Sequence, residues 1–505
     1  MVQERIITLE RNRMRRRLAM ATTALAVTMT TFPAPALADS VSGLPTTKFP
    51  LGVPGIPKSA AKSIAPGVTY SVLRHGGAKD GYTVSVVVKG KDFMSEATAQ
   101  TQAEAIQAAG LEPVIVKFTR PAVADFPAAD YWMVRVGSWP LDKKSEAAKT
   151  VKQLKEAGVS AKVDWQGDDG FATTGPWSVR VITVDPRKFR GSFQASLGKS
   201  TAKREKVTEM AASAKAIAAV NGGFFDIHTL PAFRGDPTGI SVVGGKLLSE
   251  AVTGRVGLVL QGRTARVTEL SSMVVARPSG GAPVQVTGVN RVAKPDELVM
   301  YTEELGRATP KNDGAEAVLD ASGQVVQVRS AGGKVAPGTR VLHGVGAAAD
   351  WLWENATEGS TIKVTTTVTD LRARKTIPLT PRTNIIGGAI GLVRGGRISI
   401  TASRDGMANV NMIVRRHPRT LAGVTRNGKL IIAVVDGRAP GKTVGASFFE
   451  AAAIMKWLGA RDAINLDGGG STAMVIGKKV VNHPSDGAER AVGDALLVLG
   501  PDTTR

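Results

Sequence analysis

Cysteine is absent from all 505 residues, which removes disulfides, thiol nucleophiles and cysteine-based zinc sites in one step. Histidine is nearly as scarce, with five residues. His75, His228, His343, His417 and His483 are too scattered for the clustered His and Asp ligands of a two-metal phosphodiesterase. Aromatic residues make up only 5% of the chain and no basic stripe is interleaved with them, so no nucleic-acid partner is expected. Beyond the N-terminus no stretch reaches the roughly 18 uninterrupted apolar residues of a spanning helix, so no integral membrane segment is expected in the mature chain. Acid is in deficit too: 43 Asp and Glu face 65 Lys and Arg, a formal charge of +22. Such an excess keeps a chain soluble and also draws it to anionic polymers, among them teichoic-type polymers and phosphorylated glycans.

What is present points to a globular, glycine-rich α/β (α+β) chain, with 43% hydrophobic residues and 56 glycines, long enough for two or three domains. Five arginines, Arg11, Arg13, Arg15, Arg16 and Arg17, precede the apolar stretch LAMATTALAVTMTTF, and Ala36-Leu37-Ala38 forms a small-x-small cleavage site. Residues 1–38 are therefore expected to be a secretory signal and the mature protein to be secreted or associated with the cell wall. Its removal takes away six Arg and two Glu and leaves a formal charge of +18. Residues 39–80, rich in Pro, Gly, Ser, Thr and Lys, are expected to form a linker.

An internal repeat follows. YTVSVVV, the helical stretch SEATAQTQAEAIQAAG and EPVIVKF recur about 49 residues later as YWMVRVG, KKSEAAKTVKQLKEAG and SAKVDW. Each copy reads as strand, helix, glycine stop and strand, so residues 82–165 should form a four-stranded sheet with two helices on one face. With Val134, Val136, Gly137, Ser138 and Trp139 as its carriers, this repeat resembles the sporulation-related repeat (SPOR) domain family. That resemblance implies a peptidoglycan partner for 82–165. An unrelated small α/β sandwich with a structural role fits the same pattern.

The chemistry-bearing phrases lie in 177–505. AINLDGGGSTAMV leaves a short apolar strand at Asp467 and continues through Gly468, Gly469 and Gly470 to Ser471 and Thr472. Such a turn either points amide N–H groups at an anion or simply caps the next segment. AVNGGFFD places Asn221 and Asp226 around a glycine pair; LIIAVVDGR ends a strand at Asp436 with Arg438 two residues on; TVGASFFEAAAIMKWLGA is an amphipathic helix carrying Glu450. Asp436 and Asp467 should lie at matching ends of two strands joined by that helix.

Five ordered phrases, N-G-G-F-F-D at 221–226, P-T-G-I at 237–240, H-P-R-T at 417–420, V-V-D-G-R at 434–438 and N-L-D-G-G-G-S-T at 465–472, resemble the phosphodiester glycosidase family. The resemblance runs over about 177–499. It implies a hydrolase that removes a sugar from the phosphate of a sugar-1-phosphodiester. Residues 260–385, β-rich in stretches such as GSTIKVTTTVTD, contain none of these phrases and are expected to be an insertion.

In such a substrate the leaving group is a phosphate monoester anion, so the site needs hydrogen-bond donors for phosphate more than a strong acid. Arg419 and Arg438 offer forked donors, His417 a switchable one, and the glycine run backbone amides. Asp467 and Asp436, with Glu450 as a further candidate, would act on the sugar as base for water or as stabiliser of an oxocarbenium-like centre. Asn221, Asp226, Asn465, Ser471 and Thr472 complete the expected binding set. Structural readings stay open beside these: Arg438 pairing with Asp436, Glu450 serving the helix dipole, His417 satisfied structurally, and the asparagines supporting turns. No ligand spacing supports a metal, and a divalent cation such as calcium would have only carboxylates such as Asp226 to hold it. The alternative function is a noncatalytic glycan-binding wall protein.

Overall fold

The apolar run LIIAVV shows no polar alternation because the strand it forms, Leu430–Val435, is buried on both faces. Ile431, Ala433 and Val435 meet one core together with Phe448, Ala452 and Met455 of the helix Phe448–Trp457. Leu430, Ile432 and Val434 meet a second core with Ala218, Val220, Leu496 and Val498. The computed structural model describes residues 43–501, so the expected signal at 1–38 lies outside the described residues.

Around Leu430–Val435 an eight-stranded sheet runs in the order Lys58–Ala65, Val68–His75, Trp177–Val184, Leu430–Val435, Arg419–Thr425, Ala460–Asn465, Gly391–Arg394 and Arg397–Thr401. Every neighbouring pair in it is antiparallel. A five-stranded sheet holding Ala216–Asn221 and Ala495–Leu499 packs against it through the second core. The fold is α+β with strands predominating. Leu430–Val435 and Ala460–Asn465 run the same way on either side of Arg419–Thr425, so their C-terminal ends and the start at Arg419 share one edge of the sheet.

One sequence expectation needs correction here. Residues 58–75 belong to the catalytic-body sheet: Val68–His75 pairs along its length with Trp177–Val184 and buries Val68, Ser71 and Leu73. Its pairing partner lies about a hundred residues away, so local composition concealed it. Residues 82–165 do form a four-stranded antiparallel sheet, ordered Pro113–Arg120, Ala129–Trp139, Tyr82–Val86 and Ala161–Trp165, with helices Glu96–Ala108 and Lys144–Glu156. Val84, Val86, Val134 and Val136 pack with Ile106 and Leu154. The other face is polar, carries Ser85, Arg135 and Asp164, and is nevertheless buried.

That face is covered by the chain before His417. Arg415 donates to Asp164 through Nη2 at 2.8 Å and Nη1 at 3.1 Å, to Asp168 at 3.3 Å, and to Asp92. Arg416 reaches the carbonyls of Gly167 at 3.2 Å and Phe171 at 2.7 Å. All described residues fall in one compact unit, and the repeat is stitched into it by buried charge.

Candidate active site

Two strand ends and two strand starts meet at the shared edge. Asp467 N–H donates to the Gly222 carbonyl at 3.0 Å, Gly222 N–H to the Asp494 carbonyl at 2.9 Å, and Leu466 N–H to the Thr420 carbonyl at 2.8 Å. Asn221 clamps the junction: Nδ2 donates to the Asp467 carbonyl at 2.8 Å, while Oδ1 accepts from Thr420 Oγ1 at 2.6 Å and from Ala473 N–H at 3.2 Å. Asn465 is fully buried, with Nδ2 on the Ala389 carbonyl at 3.4 Å. Both asparagines hold the turn.

Burial pushes the Asp467 carboxyl up to about 6, against hydrogen bonds from Ser471 and Gly468 N–H and the charges of Arg490 and Arg419. Asp494, which none of the sequence phrases marked, is 2% exposed. Burial and the charge of Asp467 push it up to about 7, with the Gly223 amide opposing. Its carboxyl packs on Gly222, where an added Cβ would sit 2.5 Å from Oδ1. Both carboxyls are thus held above the usual carboxylate range, and the charge of Asp467 is felt at Asp494. A Gly-Asp step immediately before the apolar strand ALLVL was the only sequence signal for Asp494.

Arginines rim this pair. Arg438 is exposed with φ 58, a left-handed conformation uncommon outside glycine and often found at functional sites. Its Nη2 donates to His417 Nδ1 at 3.3 Å, so Nδ1 is the acceptor and the ring proton sits on Nε2. Burial and the nearby Arg419 and Arg438 hold His417 down at about 3. In that state the ring is a neutral donor rather than the switchable one expected from the sequence. Arg490, also absent from the expected set, bonds Asp486 through Nε at 2.8 Å.

The glycine run works by absence of side chains. Gly468 N–H bonds Asp467 Oδ1 at 2.8 Å and Gly469 N–H bonds the Pro418 carbonyl at 2.9 Å, so these amides are not the expected anion cradle. A Cβ on Gly469 would lie 3.1 Å from Arg438 Nη2, and one on Gly470 would lie 2.2 Å from both Arg490 Nη2 and Asp486 Oδ2. The run therefore lets two guanidinium groups close on the backbone beside Asp467.

Other expected roles give way to structural ones. Arg419 is 2% exposed, donates to the carbonyls of Ala446 at 2.9 Å and Met412 at 3.0 Å, and stacks 3.9 Å from the Phe448 ring centroid. It braces the site from beneath and is not a free phosphate fork. Asp436 is ion-paired with Arg180 and accepts from Ser178 Oγ at 3.1 Å and His483 N–H at 2.9 Å. Both oxygens of its carboxylate are engaged away from Asp467. Glu450 forms a capping box with Ser447 and takes Arg416 Nε at 2.9 and 3.0 Å, so it is a cap and an ion-pair partner. Asp226 closes a local turn by accepting His228 N–H at 2.7 Å and Thr229 N–H at 3.1 Å. Thr472 is buried and its carbonyl accepts from Asn482 at 3.0 Å.

Paired carboxyls of raised pKa under an arginine rim define a site for acid–base chemistry on an anionic substrate. The comparisons agree with that class: residues 313–499 match the model of the phosphodiester glycosidase family. Asp436, Asp467, Arg438, Arg490 and Asp494 all fall inside the match. The match begins inside the 260–385 stretch.

Among curated proteins, the SPbeta prophage-derived uncharacterized protein YomE of Bacillus subtilis is 36% identical over 102 residues, 20% of this chain and 15% of that one. N-acetylglucosamine-1-phosphodiester alpha-N-acetylglucosaminidase of Mus musculus is 30% identical over 117 residues, 22% of each chain. The matched stretches are thus a minor part of those proteins' length. A Burkholderia pseudomallei protein assigned as exported has a crystal structure similar over 90% of this chain and 99% of its own, with TM-score 0.79 and 29% identity.

Proposed function

We propose that this chain is an exported hydrolase that cleaves the C1–O bond of a sugar-1-phosphodiester in a phosphorylated cell-wall or extracellular glycan. The observation that carries the reading is the Asp467–Asp494 pair, raised to about 6 and about 7, beneath Arg438 and Arg490. Between those values Asp494 holds a proton and Asp467 carries the single negative charge. The ionised Asp467 activates water or steadies positive charge at the anomeric carbon. Arg438, Arg490 and the Nε2–H of His417 hold the phosphate, which departs as a stable anion with its bridging oxygen. Asp494 sits behind Asp467 and positions it.

Export is supported by the arginine-rich start and Ala-x-Ala site of the sequence and by the exported assignment of the Burkholderia relative. Among the described residues no helix is long and apolar enough to cross a membrane. Peptidoglycan anchoring through 82–165 is the remaining part of the proposal and rests on the repeat pattern alone, because Arg415 covers the polar sheet face. Hydrolysis in oxygen-18 water tests the bond assignment. Label should enter the sugar, and label in the phosphate would mean P–O cleavage and overturn the reading.

A further inference from the structure

On the far side of the loop that carries Arg438 lies a crevice of about 840 Å³, lined by Lys58, Arg74, Arg180, Lys442, His75 and His483, with Asp436 as its single carboxylate. Asp436 is already neutralised by Arg180. Strand register makes the arrangement deliberate: Lys58 is directly opposite Arg74, and Arg74 directly opposite Ser178, so the three side chains share one face across adjacent strands. Like charges directly opposite each other in a sheet are destabilising unless something anionic lies between them. Among the described residues Lys58, Arg74 and Lys442 contact no carboxylate, and all three are exposed.

The crevice and the active site share walls. Asp436, Ala439 and Thr443 line the crevice, while Arg438 between them turns to Gly469. His483 lines the crevice, and the same segment reaches the active site at Arg490. An extended polyanion leaving the reaction centre over Arg438 therefore enters a second cationic site within a residue or two of chain. A substrate with a single phosphate would leave that second site empty.

We propose that this crevice binds a further phosphate of the same chain, so that the substrate is a polymer of repeating sugar-1-phosphodiesters. The proposal rests on the hydrolase reading above and adds the substrate's polymeric character. Residues 58–75, recruited to the sheet from the apparent linker, supply its outer wall.

The test compares the full mature chain with a Lys58→Gln/Arg74→Gln double variant on two probes, a short synthetic oligomer of sugar-1-phosphate repeats and a single-repeat methyl-capped diester. The expected result is a loss of about tenfold or more in the kcat/KM preference for oligomer over single repeat, with a weaker salt dependence of oligomer binding. Thermal melting of the variant should be unchanged or raised, since a like-charge apposition has been removed. An unchanged preference would overturn the proposal. Direct binding of the oligomer to Asp467→Asn separates the two readings: tight binding that Lys58→Gln/Arg74→Gln weakens, with no turnover by the parent, keeps the crevice and sinks the hydrolase. Tighter binding of single-stranded DNA than of the oligomer would overturn the phosphoglycan assignment.

Discussion

Arg415 Nη2 lies 2.8 Å from Asp164 Oδ2, and this buried contact joins the repeat unit to the segment that delivers His417. Both partners are buried, and Asp92 and Asp168 complete the acidic cage around the guanidinium. Arg415→Met would leave these carboxylates with Lys162 alone as counter-charge, at 2.8 Å from Asp92 and 3.7 Å from Asp164. It should destabilise the whole chain by about 3–5 kcal/mol, the usual scale for breaking a buried pair, measured by urea unfolding. By the same reasoning a fragment beginning near 177 should be less stable and less active than the full chain. Equal activity and melting of the fragment would show that the repeat is an independent appendage after all.

Asp467→Asn keeps size and most hydrogen bonding while removing charge. It should lower kcat by a factor on the order of 100 to 10,000, the scale for one acid–base or charge-stabilising group. Glu450→Gln, by contrast, should leave kcat nearly intact and lower stability by about 1–3 kcal/mol through the helix cap and the Arg416 pair. Steady-state kinetics beside thermal melting separates the two roles. A large kcat loss in the Glu450 variant would return that residue to the catalytic set.

Activity should follow a narrow bell between the two raised carboxyls, rising as Asp467 ionises near pH 6 and falling as Asp494 loses its proton near pH 7. Stability has its own sign. Both folded pKa values exceed the unfolded value of 3.8, so the native state holds more protons. The favourable contribution is full below about pH 4 and is lost as pH rises through 6 and 7. Asp494→Asn cannot ionise, so it should gain on the parent by up to a few kcal/mol at pH 8 and by little at pH 4. A melting difference independent of pH would contradict the shift.

Gly470→Ala would drive a methyl group into Arg490 and Asp486, each 2.2 Å from the new Cβ. The displaced guanidinium should raise KM several-fold while changing the melting temperature little. Arg438→Lys should also raise KM, because an ammonium cannot reproduce a fork to phosphate oxygens. Unaltered KM in both variants would remove the arginine rim from substrate binding.

Local pattern alone identified the family phrases, the strand ends at Asp436 and Asp467, the helix bearing Glu450 and the strand–helix–strand repeat, since each depends on periodicity or on glycine within a few residues. Only the tertiary structure decided which charges are free. Asp436 and Arg438 stand two residues apart, yet one is neutralised by Arg180 from a strand over 250 residues earlier and the other opens onto Gly469. Asp494 and Arg490 carry little local signature because their importance comes from Gly222 on the neighbouring strand end and Gly470 in the turn after Asp467, both distant in sequence. Residues 58–75 became strands only when Trp177–Val184 offered an edge. Burial and pairing are sums over distant neighbours, and these set the charge state of every carboxylate and arginine at the site.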